Sequence, residues 1–205
     1  MSWYERRIFN PILDRVLSGK EVRAMCSQIL AAARGEILEI GIGTGLNVPL
    51  YPAHVQRIVS LSPDAELDHR ARLRAEERGL VIEHQPGSAV AMPYQDQSFD
   101  TVVSTLVLCT VPDPEQTLRE IRRVLRPGGQ FLFFEHVVAE KGFNRSMQRV
   151  LEPIFKRMNC GCSMLRDTAI TIASSGLAMP MLNEQYLADM PWLYRRVISG
   201  MATRT

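Results

Sequence analysis

The chain has 205 residues, of which 46% are hydrophobic and 22% are charged, and its 24 basic and 22 acidic residues leave a net charge of +2. This composition is typical of a globular protein and excludes a disordered, collagen-like or coiled-coil chain. The balanced charge argues against a nucleic-acid-binding protein, which needs lysines and arginines clustered on one face. The length suits one domain with a sizeable core, so we predict a single domain over residues 1–205.

Targeting and redox features predict a cytoplasmic protein. No apolar run is long enough for a transmembrane helix, which needs about 20 residues. The N-terminus lacks the apolar segment and small-residue cleavage site of a secretory signal. Four cysteines are too few for a disulfide scaffold, so we expect reduced thiols.

Cys160 and Cys162 are the one close pair of cysteines in the sequence. No second pair and no nearby histidine completes a four-ligand zinc set. We therefore expect no metal ion, and we interpret these thiols as buried or pocket-lining side chains.

The first 35 residues are predicted to form an N-terminal helical cap. Apolar side chains recur at four-residue spacing over residues 3–33, and Asn10-Pro11 and Ser18-Gly19 are expected to divide the stretch into two helices. Packing on the domain, covering an active site and contacting a membrane surface all remain open for this amphipathic segment.

Beyond Gly35, short apolar runs alternate with helical or loop stretches, notably 64–78 and 113–125. Five strands are predicted, at residues 36–40, 56–61, 80–84, 99–105 and 130–138. Strands that alternate with helices indicate a parallel sheet with right-handed crossovers, covered on both faces.

The C-terminal part is predicted to be helical over 144–175, and residues 177–183 and 193–201 are predicted to form a hairpin that closes the sheet edge. The predicted fold is therefore α/β, with a doubly wound, mostly parallel seven-stranded Rossmann-like sheet and helices on both faces.

A glycine-rich loop, residues 39–47, lies between the first predicted strand and an expected helix. Glycines at alternate positions let the backbone turn sharply and approach a ligand closely. In an open parallel sheet, ligands bind beyond the carboxyl ends of the strands. The loop therefore predicts a cofactor site.

The residues of this loop exclude two cofactor classes. A phosphate-binding P-loop needs a lysine near its end, where this loop has Leu46-Asn47. A dinucleotide-binding loop needs Gly or Ala at the position of Leu46. The acidic Glu39 suits a cationic ligand such as S-adenosylmethionine, which carries no phosphate.

The segment LEIGIGTGLN, residues 38–47, resembles motif I of class I S-adenosylmethionine-dependent methyltransferases. Residues 92–103 resemble the entry to strand four of that family, and residues 123–129 resemble its turn from a helix into strand five. The three motifs occur in the family's order over residues 36–136. The resemblance implies S-adenosylmethionine as cofactor and S-adenosylhomocysteine as product.

The resemblance also implies a set of cofactor-binding residues, which are Glu39, Gly41, Ile42, Gly43, Gly45, Asn47, Leu61, Ser62, Ser88, Ala89, Thr105, Leu106 and Cys109. Ser62 stands where the family has a carboxylate for the ribose hydroxyls, and Ser88 stands where an acidic residue often meets the adenine. Because a serine makes weaker single contacts, Asp64 or Glu66 is a candidate to reach back to the ribose.

A narrower resemblance covers nearly the whole chain. Residues 105–111, 135–137, 148–153, 161–166 and 198–202 are similar to a group that contains human microsomal alkyl-thiol S-methyltransferases. This implies a small, lipophilic acceptor, with a thiol as first choice. Phospholipid N-methylation, quinone C-methylation and a cofactor-binding protein that does not catalyse remain open alternatives.

A nucleic-acid acceptor is not expected. Nucleobase amine methyltransferases resemble one another in a Pro-Pro-aromatic motif after strand four, and cytosine methyltransferases have a Pro-Cys nucleophile there. This chain has residues 105–109 at that place, with Leu108 before Cys109. Cys109 is therefore interpreted as a pocket wall.

Methyl transfer to a thiol needs in-line positioning, exclusion of water and a base or cation that favours the thiolate. His136, at the end of the fifth strand, is the candidate base, and Glu135 is expected to orient or charge the site. Arg166 is a candidate to steady a thiolate or an acidic substrate. Purely structural roles remain open for His136 and Arg166.

Overall fold

The computed structural model describes residues 14–15 and 17–205. Within that part of the chain the elements are α1 (Lys20–Leu30), β1 (Ile37–Ile40), β2 (Arg57–Ser62), α2 (His69–Arg78), β3 (Val81–Pro86), β4 (Phe99–Thr105), α3 (Pro114–Val124), β5 (Leu125–His136), α4 (Phe143–Met158), α5 (Thr168–Ala173), β6 (Ala178–Tyr186) and β7 (Arg196–Thr203).

The strands form one seven-stranded sheet in the order β3-β2-β1-β4-β5-β7-β6. Strands β1 to β5 run parallel, whereas β7 is antiparallel to both β5 and β6. The predicted fold class and the hairpin at the sheet edge are therefore confirmed. The strand order reverses between β1 and β4, and the loops that follow these two strands flank the crevice where such sheets bind ligands.

Strand β5 shows how the two faces are covered. Its successive side chains alternate between two core clusters, as the period of a strand requires. Leu132 and Phe134 belong to the cluster that contains α1, and Phe131 and Phe133 belong to the cluster that contains α3. The prediction of helices on both faces is confirmed.

Helix α1 begins after Gly19, so the predicted break at Ser18-Gly19 is confirmed. Its buried side chains have the spacing of one helical face, which packs on the sheet; they are Val22, Met25, Cys26, Ile29 and Leu30. The predicted first helix and its Asn10-Pro11 break lie almost entirely outside the described residues.

Two predicted helices differ from the structure. The segment 144–175 is not one helix, because α4 and α5 are separated by a turn in which Cys160 and Gly161 have φ values of 53° and 91°. The segment 64–78 becomes helical only at His69, where the Asp68 side chain caps the helix by accepting a hydrogen bond from the Arg70 N–H at 2.9 Å.

The glycine loop leads into a single 3₁₀ turn, Val48–Leu50, so the expected α-helix after the first strand is wrong. Pro52 explains the difference, because it cannot donate the backbone hydrogen bond that continues a helix and it favours the extended conformation of Tyr51 before it. Among the described helices, none combines the length and apolar content needed to cross a bilayer.

Candidate active site

The glycine loop holds three residues in the left-handed region that favours glycine. Gly41, Gly43 and Gly45 have φ values of 67°, 53° and 80°. A Cβ atom on Gly41 would lie 2.6 Å from Val107 Cγ2, and one on Gly45 would lie 2.7 Å from the Ala71 Cα. A Cβ on Gly43 would meet only the Gly41 carbonyl oxygen, at 3.9 Å. The loop therefore packs tightly at two points and offers its backbone to a ligand at the third.

Glu39 lies under this loop and is 1% exposed. Its carboxylate accepts hydrogen bonds from Asn47 Nδ2 at 2.7 Å and from the Tyr51 hydroxyl at 2.9 Å. Burial raises the pKa of Glu39 to about 7, although these two hydrogen bonds act to lower it. Asn47 Nδ2 also donates to Thr105 Oγ1 at 2.9 Å, so Glu39 and Asn47 join the loop to the end of β4.

The chain turns sharply after β4. Leu106 has a φ of 57°, a conformation that costs a residue with a Cβ roughly 1–2 kcal/mol. Its N–H donates to the Phe134 carbonyl oxygen at 2.8 Å. Strained non-glycine residues cluster at functional sites, and this one borders the crevice opposite the glycine loop.

Glu135 determines the shape of that turn. One carboxylate oxygen accepts the N–H groups of Val107 and Leu108, both at 2.9 Å, and the other accepts the N–H of Cys109 at 3.3 Å. The Ser104 hydroxyl donates to the same group at 3.2 Å. Burial raises the pKa of Glu135, whereas the backbone hydrogen bonds lower it. Glu135 therefore acts as a positioning residue for the turn.

Arg166 approaches the same turn from the other side. Its guanidinium donates to the carbonyl oxygens of Leu108 and, at 2.6 Å, Val111. Both contacts of the guanidinium are to backbone carbonyl oxygens of the turn. Glu135 and Arg166, two of the three candidate catalytic residues, therefore shape the turn itself.

His136, the third candidate, faces a thiol. Its Nε2 lies 3.0 Å from Cys162 Sγ, and Cys162 Sγ lies 3.5 Å from Cys109 Sγ. The edge of the Tyr194 ring packs on the imidazole, with centroids 4.9 Å apart. His136 Nδ1 is buried and has no hydrogen-bond partner among the described residues. The imidazole of His136 therefore contacts Cys162, whose sulfur in turn contacts Cys109 in the turn after β4, and His136 is the candidate base at this place.

Cys109 does not have the environment of a nucleophile. Its hydrogen bond with Cys162 and its burial raise the pKa of the thiol well above its ordinary value. A thiol of raised pKa stays protonated and unreactive at neutral pH.

A cavity of about 130 Å³ separates the glycine loop from the turn after β4. Its lining includes six of the predicted cofactor residues, Gly41, Ile42, Gly43, Asn47, Thr105 and Leu106. A second, smaller cavity adjoins it and shares Asn47, Thr105 and Leu106.

The other predicted cofactor residues do not line this cavity. Glu39 and Gly45 are buried in the loop, Cys109 lies in the turn, Leu61 and Ser62 end β2, and Ser88 and Ala89 follow β3. A larger cavity, of about 650 Å³, lies between α2 and β3, and the described residues that line it belong to neither the loop nor the turn.

The end of the N-terminal segment covers the glycine loop. The Asp14 carboxylate accepts a hydrogen bond from the Thr44 hydroxyl and forms ion pairs with Arg70 at 3.3 Å and Arg74 at 3.4 Å. Leu17 lines both cavities. The sequence patterns did not indicate these contacts, because Asp14, Arg70 and Arg74 are ordinary charges on amphipathic helices.

The crevice fits S-adenosylmethionine. Gly43 leaves the room that close backbone approach requires, and Asn47 and Thr105 supply polar groups. Ile42 and Leu106 supply apolar surface, and among the described residues no lysine or arginine lines the 130 Å³ cavity to select a phosphate. These are the features of the class I methyltransferase fold: a doubly wound sheet, a glycine loop at the point where the strand order reverses, and a crevice suited to a ligand without phosphate.

Comparison with known proteins identifies the family. Residues 38–133 match the family model described as a methyltransferase domain. Thiol S-methyltransferase TMT1B of Homo sapiens is 38% identical over 174 residues, which cover 80% of this chain and 70% of the human protein. The chain therefore belongs to the S-adenosylmethionine-dependent methyltransferases, in the group that includes the human thiol S-methyltransferases.

Two further comparisons concern the substrates of similar proteins and the fold. Phosphatidylethanolamine N-methyltransferase of Cereibacter sphaeroides is 36% identical over 122 residues, covering 58% of this chain and 60% of that protein. A structure from Thermotoga maritima, described as a possible histamine N-methyltransferase, has a TM-score of 0.66 and 20% identity, with 98% of each chain covered. At that identity the structural likeness supports the fold alone.

Proposed function

We propose that this methyltransferase transfers a methyl group to a small, lipophilic thiol. The observation that carries the proposal is the arrangement of His136, whose Nε2 lies 3.0 Å from the sulfur of Cys162, next to Cys109 in the turn after β4. The likeness to the human thiol S-methyltransferases supports the same choice.

S-Adenosylmethionine, when bound, supplies a methyl group already activated on a sulfonium. The chain has to hold the acceptor in line, exclude water and favour the thiolate. In this proposal His136 Nε2 accepts the thiol proton, since only a minor fraction of a free thiol is ionised at neutral pH. Leu17 and Leu106 supply apolar walls that exclude water near the crevice.

The proposal is tested by supplying S-adenosylmethionine with an alkyl thiol, a primary amine or a phenol and identifying the products by mass spectrometry. We expect a thioether from the thiol.

His136→Gln should lower kcat by about 100-fold or more, as loss of a general base does, with cofactor affinity unchanged. His69→Gln, at an exposed histidine on α2, is the matched control. Turnover of amine or phenol but not thiol would refute the thiol assignment, and cofactor binding without any turnover would support a non-catalytic protein.

Phospholipid N-methylation is the second candidate, favoured by the exposed apolar side of α4. Phe143, Val150, Ile154 and Met158 are each more than half exposed along this helix, which suits contact with a lipid surface. Vesicles containing phosphatidylethanolamine would then be methylated, and Ile154→Asp would reduce that turnover without affecting a soluble thiol. Unmodified vesicles would rule this candidate out.

A further inference from the structure

Three side chains of types that can ligate a metal ion come from separate parts of the sequence and meet at the turn after β4. Cys109 lies in the turn after β4, His136 ends β5, and Cys162 follows α4. Their ligand atoms all lie within 4.8 Å of one another, and Cys109 and His136 are buried. Cys160, the other member of the close cysteine pair, does not belong to this cluster.

We propose that Cys109, His136 and Cys162 form a three-ligand site for Zn²⁺. Two thiolates and an imidazole form a ligand set that zinc prefers. Tetrahedral zinc, with bonds of about 2.0–2.3 Å, separates its ligand atoms by about 3.5–3.8 Å. The Nε2–Sγ distance of 3.0 Å at Cys162 and the Sγ–Sγ distance of 3.5 Å require outward movements of a few tenths of an ångström.

The backbone around the three side chains is held in place, which a preformed metal site needs. The Ser163 N–H donates to the Cys109 carbonyl oxygen at 2.9 Å and so fixes the segment of Cys162 against the turn after β4. Glu135 holds the N–H of Cys109. Tyr194 orients the imidazole of His136, and its hydroxyl accepts a hydrogen bond from Asn159 at 2.6 Å.

The charges also suit a buried divalent ion. When zinc binds, each cysteine thiol loses its proton to solvent, and two thiolates neutralise the two positive charges of the ion. The neutral imidazole of His136 adds no charge. A closed structural zinc site has four protein ligands, whereas three protein ligands leave one position open.

A small thiol is the class of ligand for the open position. The Cys109 sulfur lies 3.4 Å from the carbonyl oxygen of Leu106, a residue that lines the cofactor crevice. This step rests on the proposed function. Coordination to zinc would ionise the acceptor thiol, with its proton released to solvent. The metal would then replace His136 Nε2 as the group that favours the thiolate, and the thioether product would leave as a weaker ligand.

The metal site is tested with Co²⁺ as a spectroscopic substitute for zinc, using protein kept reduced without oxygen. We expect one equivalent of Co²⁺ to bind and to give thiolate-to-cobalt absorption, which Zn²⁺ then abolishes. Cys109→Ser, Cys162→Ser and His136→Gln should each weaken binding by about 100-fold or more. Cys160→Ser is the matched control and should bind as the unmodified protein does. Circular dichroism and cofactor affinity verify that each variant is folded.

Failure of the metal site can be distinguished from failure of the proposed function. No bound cobalt in a protein with four titratable thiols, or unchanged binding in Cys109→Ser and Cys162→Ser, would overturn the metal site. An added alkyl thiol should shift the cobalt spectrum, and an unshifted spectrum would overturn its coordination. Thiol methylation by metal-free protein would leave the proposed function standing without zinc, whereas cobalt binding without methylation would leave the metal site standing alone.

Discussion

The two walls of the crevice are built in different ways. The cofactor wall comes from one continuous segment, in which Glu39, Asn47 and Tyr51 are joined by hydrogen bonds across only twelve residues. The opposite wall joins the turn after β4 to Glu135, Cys162 and Arg166, which lie 26 to 58 residues farther along the chain. The difference teaches that the cofactor wall is a local motif, whereas the acceptor wall exists only when the sheet is complete.

The acceptor wall is tested most directly by substitution of Glu135. Glu135→Ala leaves two buried N–H groups and one partly buried N–H group without an acceptor. Each unsatisfied buried group costs about 1–3 kcal/mol, so we expect the free energy of unfolding to fall by about 4 kcal/mol. Glu135→Gln keeps the oxygen that accepts two of these groups and should cost less. Urea denaturation of both variants measures the difference. Equal stability of Glu135→Ala and the unmodified protein would show that the acceptor wall does not depend on this carboxylate.

Glu39, in the cofactor wall, is expected to make the stability of the protein depend on pH. Its folded pKa of about 7 lies above the ordinary value of 4.5, so the folded protein keeps a proton that the unfolded chain releases between these two pH values. Raising the pH from about 4.5 to 7 should therefore lower the free energy of unfolding by about 3 kcal/mol, with the full contribution present below pH 4.5.

Glu39→Gln, which cannot ionise, should lose this contribution to the pH dependence. Denaturant unfolding of both proteins between pH 4.5 and 8 isolates it as the difference between their two slopes, because other titrating groups cancel. Identical slopes would mean that Glu39 is ionised in the folded protein even without a cofactor.

Gly45 tests how tightly the cofactor wall packs. Gly45→Ala and Gly79→Ala both place a Cβ on a left-handed residue, but only at Gly45 does it lie 2.7 Å from a backbone atom, the Cα of Ala71. We expect Gly79→Ala to cost about 1 kcal/mol, and Gly45→Ala to cost about 2 kcal/mol more through overpacking. Thermal unfolding gives both stabilities, and calorimetry should find weaker S-adenosylmethionine binding only in Gly45→Ala. Equal effects would mean that α2 moves away freely.

The contrast between the walls explains what could be predicted from the sequence. The loop over residues 39–47 could be assigned because its function needs glycines at fixed positions in one short segment, and the sheet could be assigned because apolar alternation is local. The cluster of Cys109, His136 and Cys162 could not, since spacings of 27 and 26 residues match no short metal motif. The roles of Glu135 and Arg166 were equally hidden, because their partners are backbone groups that carry no residue-type signal.

The smallest effect is expected where the N-terminal segment meets the cofactor wall. Asp14→Ala removes the acceptor of the Thr44 hydrogen bond and two partly exposed ion pairs with Arg70 and Arg74, so the stability should change by only about 1 kcal/mol. The Asp14 contact to Thr44 nevertheless holds this segment over the loop, and we therefore expect S-adenosylmethionine to dissociate several-fold faster. Stopped-flow fluorescence at low and high salt measures the rate, and salt should accelerate dissociation from the unmodified protein more than from the variant. Glu83→Gln, which removes an exposed ion pair with Arg57, is the matched control. If both variants release the cofactor at the unmodified rate, the contact of Asp14 with the loop does not retain the cofactor.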